Sequence, residues 1–327
     1  MANKIVLAGG TGFIGQEMIR YFGKNYDIVV LTRHAKKAAN NRNQYSGLSR
    51  SDLERVRFVT WDGKTAGDWS TELEGAGFII NLAGKTVNCR YTEKNKYEIL
   101  HSRLDAVAAI GEAIRKCKNP PALWINSSSA TIYRHATDRP QDEYNGEFHD
   151  GFSVDVCRQW EKTFYEQHTP GTRKVALRMA ITLEAGGVLI PYFNLLKFGM
   201  GGKQGSGRQM FSWVHATDTC RMIEWIYGHP ELKGTFNCCS PNPVTNSEFM
   251  KLLRQATGTR FAIPASTWML KAGALLIGTE TELVLKSRWV LPKRISETGF
   301  TFRYPRLEAA FADIIKQVPK SQYRLFS

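Results

Sequence analysis

Gly9-Gly10-Thr11-Gly12-Phe13-Ile14-Gly15 follows a short apolar run at residues 4–8 and opens a stretch in which Phe13, Ile14, Met18, Ile19 and Phe22 recur at helical spacing. That order predicts a strand, a tight turn and an amphipathic helix. Glycines 9, 12 and 15 each answer a separate need: a turn without a Cβ, close approach of the backbone to a pyrophosphate, and close packing of helix on strand. The N–H groups that open the helix, together with its dipole, then face the anion. A glycine triad alone is a weak signal, and a structural turn would account for it. Its place directly after an apolar strand and at the head of an amphipathic helix gives it weight. Gly9, Thr11, Gly12, Phe13, Ile14 and Gly15 are therefore read as a cradle for dinucleotide phosphates.

Outward from this loop the same alternation continues. Residues 27–31, 57–60 and 78–82 form short, continuously apolar runs, as strands covered on both faces should. Residues 123–127 and 175–177 add two more. A long helix is predicted at 93–117, with Leu100, Leu104, Val107, Ala108 and Ile114 on one face, and another ends near Gln167. Repeated β-α alternation with right-handed crossovers predicts an α/β fold, a Rossmann-type doubly wound parallel sheet. After Arg178 the pattern changes to glycine clusters and helices separated by prolines, which predicts a smaller, mostly helical C-terminal substrate lobe. The division expected is a dinucleotide-binding domain at 1–235, with 181–210 contributing to the substrate lobe, and a small C-terminal domain at 236–327. There is no internal repeat and no low-complexity linker.

Composition limits the function. With 327 residues, 43% of them hydrophobic, and 17 Phe, 12 Tyr and 8 Trp, the chain can bury a sizeable core. Its six cysteines, at 89, 117, 157, 220, 238 and 239, form no CxxC pair and no His/Cys spacing for a tetrahedral site, so no metal and reduced thiols in a cytoplasmic compartment are expected. Ile5 already belongs to the first strand, which leaves no room ahead of it for a signal peptide's apolar region. The most apolar later stretch, 268–278, is broken by Lys271 and reads as a buried helix, being far short of the roughly 20 residues a membrane span requires. A net charge of +14 suggests nucleic acid, but there is no long Lys/Arg tract and no aromatic-basic repeat. The excess gathers at Arg33, Lys36, Lys37, Arg42, Arg50, Arg55 and Arg57. A phosphorylated small ligand at that edge and a solvated basic surface account for it; no nucleic-acid or membrane partner is expected.

The dinucleotide is chosen at the end of the second strand. An acid there would accept both ribose hydroxyls of NAD and repel a 2′-phosphate. This strand ends Val30-Leu31-Thr32-Arg33-His34. Arg33 can pair with the phosphate, Thr32 can donate a hydroxyl, and Lys36 or Lys37 adds charge, so NADP(H) is the expected cofactor.

These segments resemble the extended short-chain dehydrogenase/reductase superfamily, which includes nucleotide-sugar epimerases and dehydratases. Besides the glycine loop, the resemblance rests on Asp62 in Thr60-Trp61-Asp62, Asn81-Leu82-Ala83-Gly84, Ser127-Ser128-Ser129-Ala130-Thr131-Ile132-Tyr133 and Leu177-Arg178, all in the superfamily's order. It implies Asp62 near the adenine, Leu82, Ala83 and Gly84 along the ribose, and the Ser127 strand end near the nicotinamide. More narrowly, the chain is similar to an epimerase-like group ending in a small domain of unknown function. Arg90-Tyr91-Thr92 with Ser102-Arg103, Gly205-Ser206-Gly207-Arg208-Gln209 through Trp213-Val214-His215 to Asp218, and Leu291-Pro292-Lys293-Arg294 before Gly299-Phe300 carry that likeness. Arg103 joins the cofactor side on the same ground.

The superfamily places a tyrosine, and a lysine four residues later, on the helix after the serine strand, where the ammonium helps the phenol exchange a proton with the substrate. Counted back from Glu161, those positions here hold Ser153 and Cys157, so the usual YxxxK pair is absent; the glycine after the strand-end tyrosine is also replaced, by Arg134. Other candidates remain. Ser128 or Ser129 can hydrogen-bond a carbonyl, or merely cap the strand end. Tyr133 can donate the proton if Lys85, Arg103 or Arg134 lies near it, or can be a packing residue. Cys157 has no histidine near it in sequence to make a thiolate. On the substrate side, the Gly205-Ser206-Gly207 backbone and Arg208 can bind a carboxylate or phosphate, which makes an anionic small molecule the expected substrate, with Lys85 beside it. His215 and Asp218 lie one turn apart, as a functional pair or as a helix cap. Two functions are open: an NADP(H)-dependent oxidoreductase or epimerase with an unusual proton relay, and a noncatalytic NADP(H)-binding regulator. A homodimer is compatible with either.

Overall fold

The structure, a computed structural model, describes residues 3–41, 45, 47–260, 262–265 and 286–324. Arg42 and the helix expected at 268–278 lie outside them. Seven strands build one sheet: β1 (Lys4–Ala8), β2 (Asp27–Thr32), β3 (Val56–Thr60), β4 (Phe78–Asn81), β5 (Leu123–Ser129), β6 (Arg173–Met179) and β10 (Gly234–Cys238). Their order is β10-β6-β5-β4-β1-β2-β3, and every neighbouring pair is parallel. The chain leaves β1 toward one edge and returns on its other side at β4, so the strand order reverses between these two. That switch point opens a crevice at the carboxyl ends of the strands.

Alternation along each strand divides the core. Ile5, Leu7, Ile28, Val30, Phe78, Ile80, Leu123 and Ile125 face α1 (Phe13–Phe22) and α7 (Ala216–Gly228). Val6, Ala8, Val29, Leu31, Ile79 and Trp124 face α4 (Glu93–Lys116) and α5 (Phe152–Glu166). Because both faces are covered, these strands are apolar throughout rather than alternating in polarity. The long α4 is fixed at its start by Thr92, whose side chain accepts from the Asn95 N–H, and carries Arg115 and Lys116 in its last turn, where cations suit the helix dipole.

The lobe is built from α6 (Leu189–Lys197), α8 (Asn246–Thr257), the final helix (Leu307–Gln317) and the short strands β7 (Ile181–Leu183), β8 (Met210–Phe211), β9 (Trp213–His215) and β11 (Val244–Thr245). Tyr192, Phe193, Phe211, Trp213, Phe249 and Phe311 form its centre. It is interleaved with the sheet rather than appended to it. The boundary expected at 235/236 falls inside β10, where Asn237 and Cys238 pair with Arg178 and Met179 of β6. Gly-Thr-Phe-Asn-Cys has too mixed a polarity to read as a sheet strand, so the sequence alone does not show this pairing.

Among the described residues no helix is long and apolar enough to cross a membrane, and no group of three or more His, Cys, Asp or Glu is placed to hold a metal. All six cysteines are unpaired.

Candidate functional site

The glycine loop sits at the switch point and is shaped by close approaches. Gly9 has φ +77°, and a Cβ on it would lie 2.9 Å from the Ala83 backbone, so the ends of β1 and β4 meet there. A Cβ on Gly15 would lie 2.4 Å from Gly10 Cα, so the helix is pressed onto the turn. Gly12 differs: a Cβ there would meet nothing nearer than the Gly9 carbonyl, at 3.8 Å. The space over Gly12 is open, Gly12 precedes α1 as its N-cap residue with no side-chain cap, and the first turn of the helix holds no acid. A pyrophosphate fits this cradle, because exposed N–H groups and a bare backbone are what it needs. Thr11 uses its carbonyl to hold Gln16 Nε2 at 3.1 Å, and Phe13 packs beneath Gly186 and Gly187. Ile14 packs against the core.

The neighbouring strand ends converge on the same crevice. The Leu82 N–H donates to the Ala8 carbonyl and the Ala83 N–H to Asn81 Oδ1, so Leu82, Ala83 and the exposed Gly84 run beside the loop. At the end of β2 the Gly9 N–H donates to the Leu31 carbonyl, Thr32 is buried and Arg33 is exposed, with Lys36 and Lys37 exposed just beyond. Asp62 caps its own turn: Oδ1 accepts from the Lys64 and Thr65 N–H groups and Oδ2 from the Thr65 hydroxyl. Desolvation opposes its ionisation, but these bonds prevail and hold the carboxyl below its usual range.

The three consecutive serines of β5 divide between the sheet's faces. Ser127 and Ser129 are half-buried on one side, where Ser127 Oγ lies 3.3 Å from Met179 Sδ and Ser129 Oγ accepts from the Thr131 N–H. Ser128 is buried on the other and donates to Glu161 at 2.6 Å. Glu161 is also held by two bonds from Arg178, at 2.9 and 2.7 Å, and Arg178 Nη1 donates to the Tyr133 hydroxyl, which donates in turn to Asn237 Oδ1. Burial, against the pull of Arg178, pushes the Tyr133 phenol up to about 12. Ser128 and Tyr133 are thus occupied in a buried network, which departs from the expectation of accessible proton donors. Arg134, one of the cations expected near Tyr133, instead pairs with Asp138 and Glu147 at the surface.

Other expected residues are also engaged. Lys85 pairs with Glu98 and donates to Asn95. Arg103 gives two bonds, to the Lys85 and Ile99 carbonyls, and lies 5.0 Å over the Trp160 ring. Arg208 is exposed, but the N–H groups of Gly205 and Gly207 are taken by the Ala265 and Gln204 carbonyls, so they form no anion nest. His215 is buried, caps α7 by accepting the Thr217 N–H, and stacks on Tyr304 with centroids 4.1 Å apart. Its Nε2 faces Asp313 at 3.6 Å and Glu184 at 3.8 Å. Asp218 accepts from the Arg303 and Tyr304 N–H groups and so ties the C-terminal segment to α7. His215 and Asp218 thus form a joint that holds the start of α7 to the C-terminal segment.

Residues 5–152 match the NAD dependent epimerase/dehydratase family, and 265–314 match the domain of unknown function DUF1731. Epimerase family protein SH2119 of Staphylococcus haemolyticus is 30% identical over 318 residues, covering 95% of this chain and 99% of its own. The chain belongs to the epimerase family. Epimerase family protein YfhF of Bacillus subtilis is 29% identical over 312 residues, covering 95% of this chain and 97% of its own. The same fold occurs in the crystal structure of human epimerase family protein SDR39U1 with NADPH, at a TM-score of 0.80 and 24% identity, covering 96% of this chain and 100% of that one. It also occurs in a UDP-N-acetylglucosamine 4-epimerase from Methanobrevibacter ruminantium, at 0.72 and 15%, covering 96% of this chain and 97% of that one.

Within this family fold two contacts were not foreseen. The Tyr91 hydroxyl reaches Ser153 Oγ at 3.4 Å, and the half-buried Glu143 carboxylate accepts from the Asn237, Lys293 and Arg294 N–H groups, which seats the Leu291-Pro292-Lys293-Arg294 segment. Arg90-Tyr91-Thr92 stood out in the sequence as a segment, but nothing along the chain says that its phenol meets the head of α5.

Proposed function

We propose that this epimerase-family protein binds NADP(H) and carries out an NADP(H)-dependent oxidoreductase or epimerase-like reaction on an anionic small molecule. The observation that carries the cofactor reading is the end of β2: beside the open cradle at Gly12 the chain presents an exposed Arg33, not an acid. A guanidinium suits a 2′-phosphate and lacks the carboxylate that would hold two ribose hydroxyls. The human family protein crystallised with NADPH supports the same choice. Gly9, Gly12 and the first turn of α1 would hold the phosphates, Leu82 to Gly84 the ribose, and Ser127 and Ser129 of β5 would lie beside the nicotinamide. A bound nicotinamide supplies hydride chemistry; the protein orients it and excludes water. Ser129, half-buried at the strand end, is the serine left to hydrogen-bond a substrate carbonyl, since Ser128 is committed to Glu161.

The test is purified protein titrated with NADPH and NADH by nicotinamide fluorescence, then incubated with NADPH and a panel of carbonyl compounds and nucleotide sugars. Tighter binding of NADPH with consumption on some member of the panel is the expected result. Tight NADPH binding with no consumption on any of them would favour the noncatalytic regulator.

A further inference from the structure

Lys85 follows the strip Leu82-Ala83-Gly84 just past the end of β4, where the sheet no longer supplies partners for the backbone. Two consecutive side chains of α4 supply them instead. The Lys85 N–H donates to Ser102 Oγ at 2.8 Å, and the Lys85 carbonyl accepts from Arg103 Nη1 at 3.0 Å. Both side chains are anchored on one further atom, the carbonyl of the fully buried Ile99, to which Ser102 Oγ donates at 3.2 Å and Arg103 Nη1 at 2.8 Å. The Lys85 ammonium also pairs with Glu98, but that pair is partly exposed and holds the chain weakly. The peptide is held chiefly by the clamp.

This clamp borders the dinucleotide cradle. A Cβ on Gly84 would stand 3.0 Å from Arg103 Cζ and 3.1 Å from its Nη1. At the other end of the strip, a Cβ on Gly9 would stand 2.9 Å from the Ala83 N and Cα. Ala83 and Gly84 are therefore wedged between the glycine loop and a guanidinium, which itself lies 5.0 Å over the Trp160 ring of α5. In the sheet, β4 stands beside β1 on the side away from β2, with β5 beyond it. A dinucleotide with its 2′-phosphate at Arg33 after β2 and its pyrophosphate on the loop after β1 extends its nicotinamide half toward β4 and β5. The strip is the wall which that half meets.

We propose that Ser102 and Arg103 are positioning residues for the nicotinamide half of the bound dinucleotide: they fix the Gly84-Lys85 peptide, and through it the wall. Arg103 then acts through the strip and not as a direct ligand. The assignment rests on the NADP(H) reading above. A wall fixed in advance needs no ordering when the ligand arrives, so releasing it weakens the part of the ligand that it borders. Arginine suits the place because one planar NH2 serves two carbonyls while the group lies on an indole; lysine keeps the charge but not the plane.

The test titrates the wild type, Ser102→Ala, Arg103→Leu and Arg103→Lys calorimetrically with NADPH and with adenosine 2′,5′-bisphosphate, which carries the 2′-phosphate but no nicotinamide. Arg103→Leu is expected to weaken NADPH by about tenfold and Ser102→Ala by about threefold, while the bisphosphate stays within about twofold of the wild type. Arg103→Lys is expected to resemble Arg103→Leu. Amide exchange of the free protein, read on a peptide spanning residues 82–88, is expected to quicken by about tenfold in Ser102→Ala and Arg103→Leu with β4 unchanged. Equal losses for NADPH and the bisphosphate overturn the proposal, as does unchanged exchange. Full recovery in Arg103→Lys also overturns it, because charge acting directly on the dinucleotide would then suffice. In each of these cases the wild type still binds NADPH and the cofactor reading stands. A wild type that binds neither ligand sinks the cofactor reading and the proposal with it. If Arg103→Leu does not fold, Ser102→Ala, which removes a single oxygen, and Arg103→Lys decide.

Discussion

Three adjacent serines at the end of β5 have three different situations, and side-chain alternation is the reason. Because a strand turns successive residues to opposite faces, Ser128 meets Glu161 and Arg178 while Ser127 and Ser129 are half-buried on the other side, against Met179 and the Thr131 N–H. The sequence shows the serine run and shows that the YxxxK pair is missing; both follow from residue identity alone. It does not show that Tyr133 is buried, because that depends on Arg178 and Asn237 arriving from two strands 45 and 104 residues away. This network makes a prediction. The Arg178–Glu161 pair is about one-tenth exposed on each side, so Glu161→Leu leaves a buried guanidinium uncompensated and should cost about 3–5 kcal/mol in urea unfolding. Tyr133→Phe, which only unties Arg178 and Asn237, should cost about 1–3 kcal/mol and leave NADPH binding unchanged. A Tyr133→Phe protein that is fully stable but fails in turnover would return that phenol to the list of proton donors.

At the scale of elements, the strand-loop-helix unit at the N-terminus was fully legible, because apolar run, glycine spacing and helical periodicity all point the same way. The glycines can be told apart only in the folded chain. Gly15→Ala forces a Cβ onto the Gly10 backbone and should destabilise the protein by about 3 kcal/mol. Gly12→Ala meets open space at an ordinary φ of −74°, so its melting temperature should match the wild type while its dinucleotide affinity falls by tenfold or more. Calorimetry paired with a binding titration distinguishes them; equal loss of stability in both would contradict the open cradle. β10 is the opposite case. Gly-Thr-Phe-Asn-Cys is not an apolar run, and its place in the sheet is set by parallel pairing with β6, which no local signal announces. A fragment ending at residue 235 would lose the Asn237 and Cys238 rungs, and should show no cooperative unfolding by circular dichroism.

Across the whole molecule, the lobe and the sheet are joined where His215, Glu184 and Asp313 meet beside Tyr304, and this joint should register pH. Burial lowers His215 from 6.5 to about 4, so as pH falls through 6.5 the unfolded chain gains a proton that the fold refuses, and stability declines down to about pH 4. Burial raises Glu184 from 4.5 to about 7, so its contribution is complete below 4.5 and is lost as pH rises toward 7. The two slopes oppose each other in the native protein. Glu184→Gln should therefore make stability rise more steeply with pH between 4.5 and 6.5 than in the wild type, and His215→Asn should make it rise less steeply or fall. Urea midpoints across that range check this; slopes that shift in the same direction would contradict the joint. Doubly wound architecture and the position of the crevice were legible from the order of segments, whereas the fate of His215 and Arg208 was not, because long-range packing decides which polar groups are left for a ligand. The cofactor reading itself depends on one side chain at the mouth of that crevice. Titration of NADPH and NADH into the wild type and Arg33→Asp tests it most directly: NADPH affinity should fall by roughly a hundredfold, about 2–3 kcal/mol, with NADH affinity little changed, whereas equal losses for the two dinucleotides would contradict a 2′-phosphate site at Arg33.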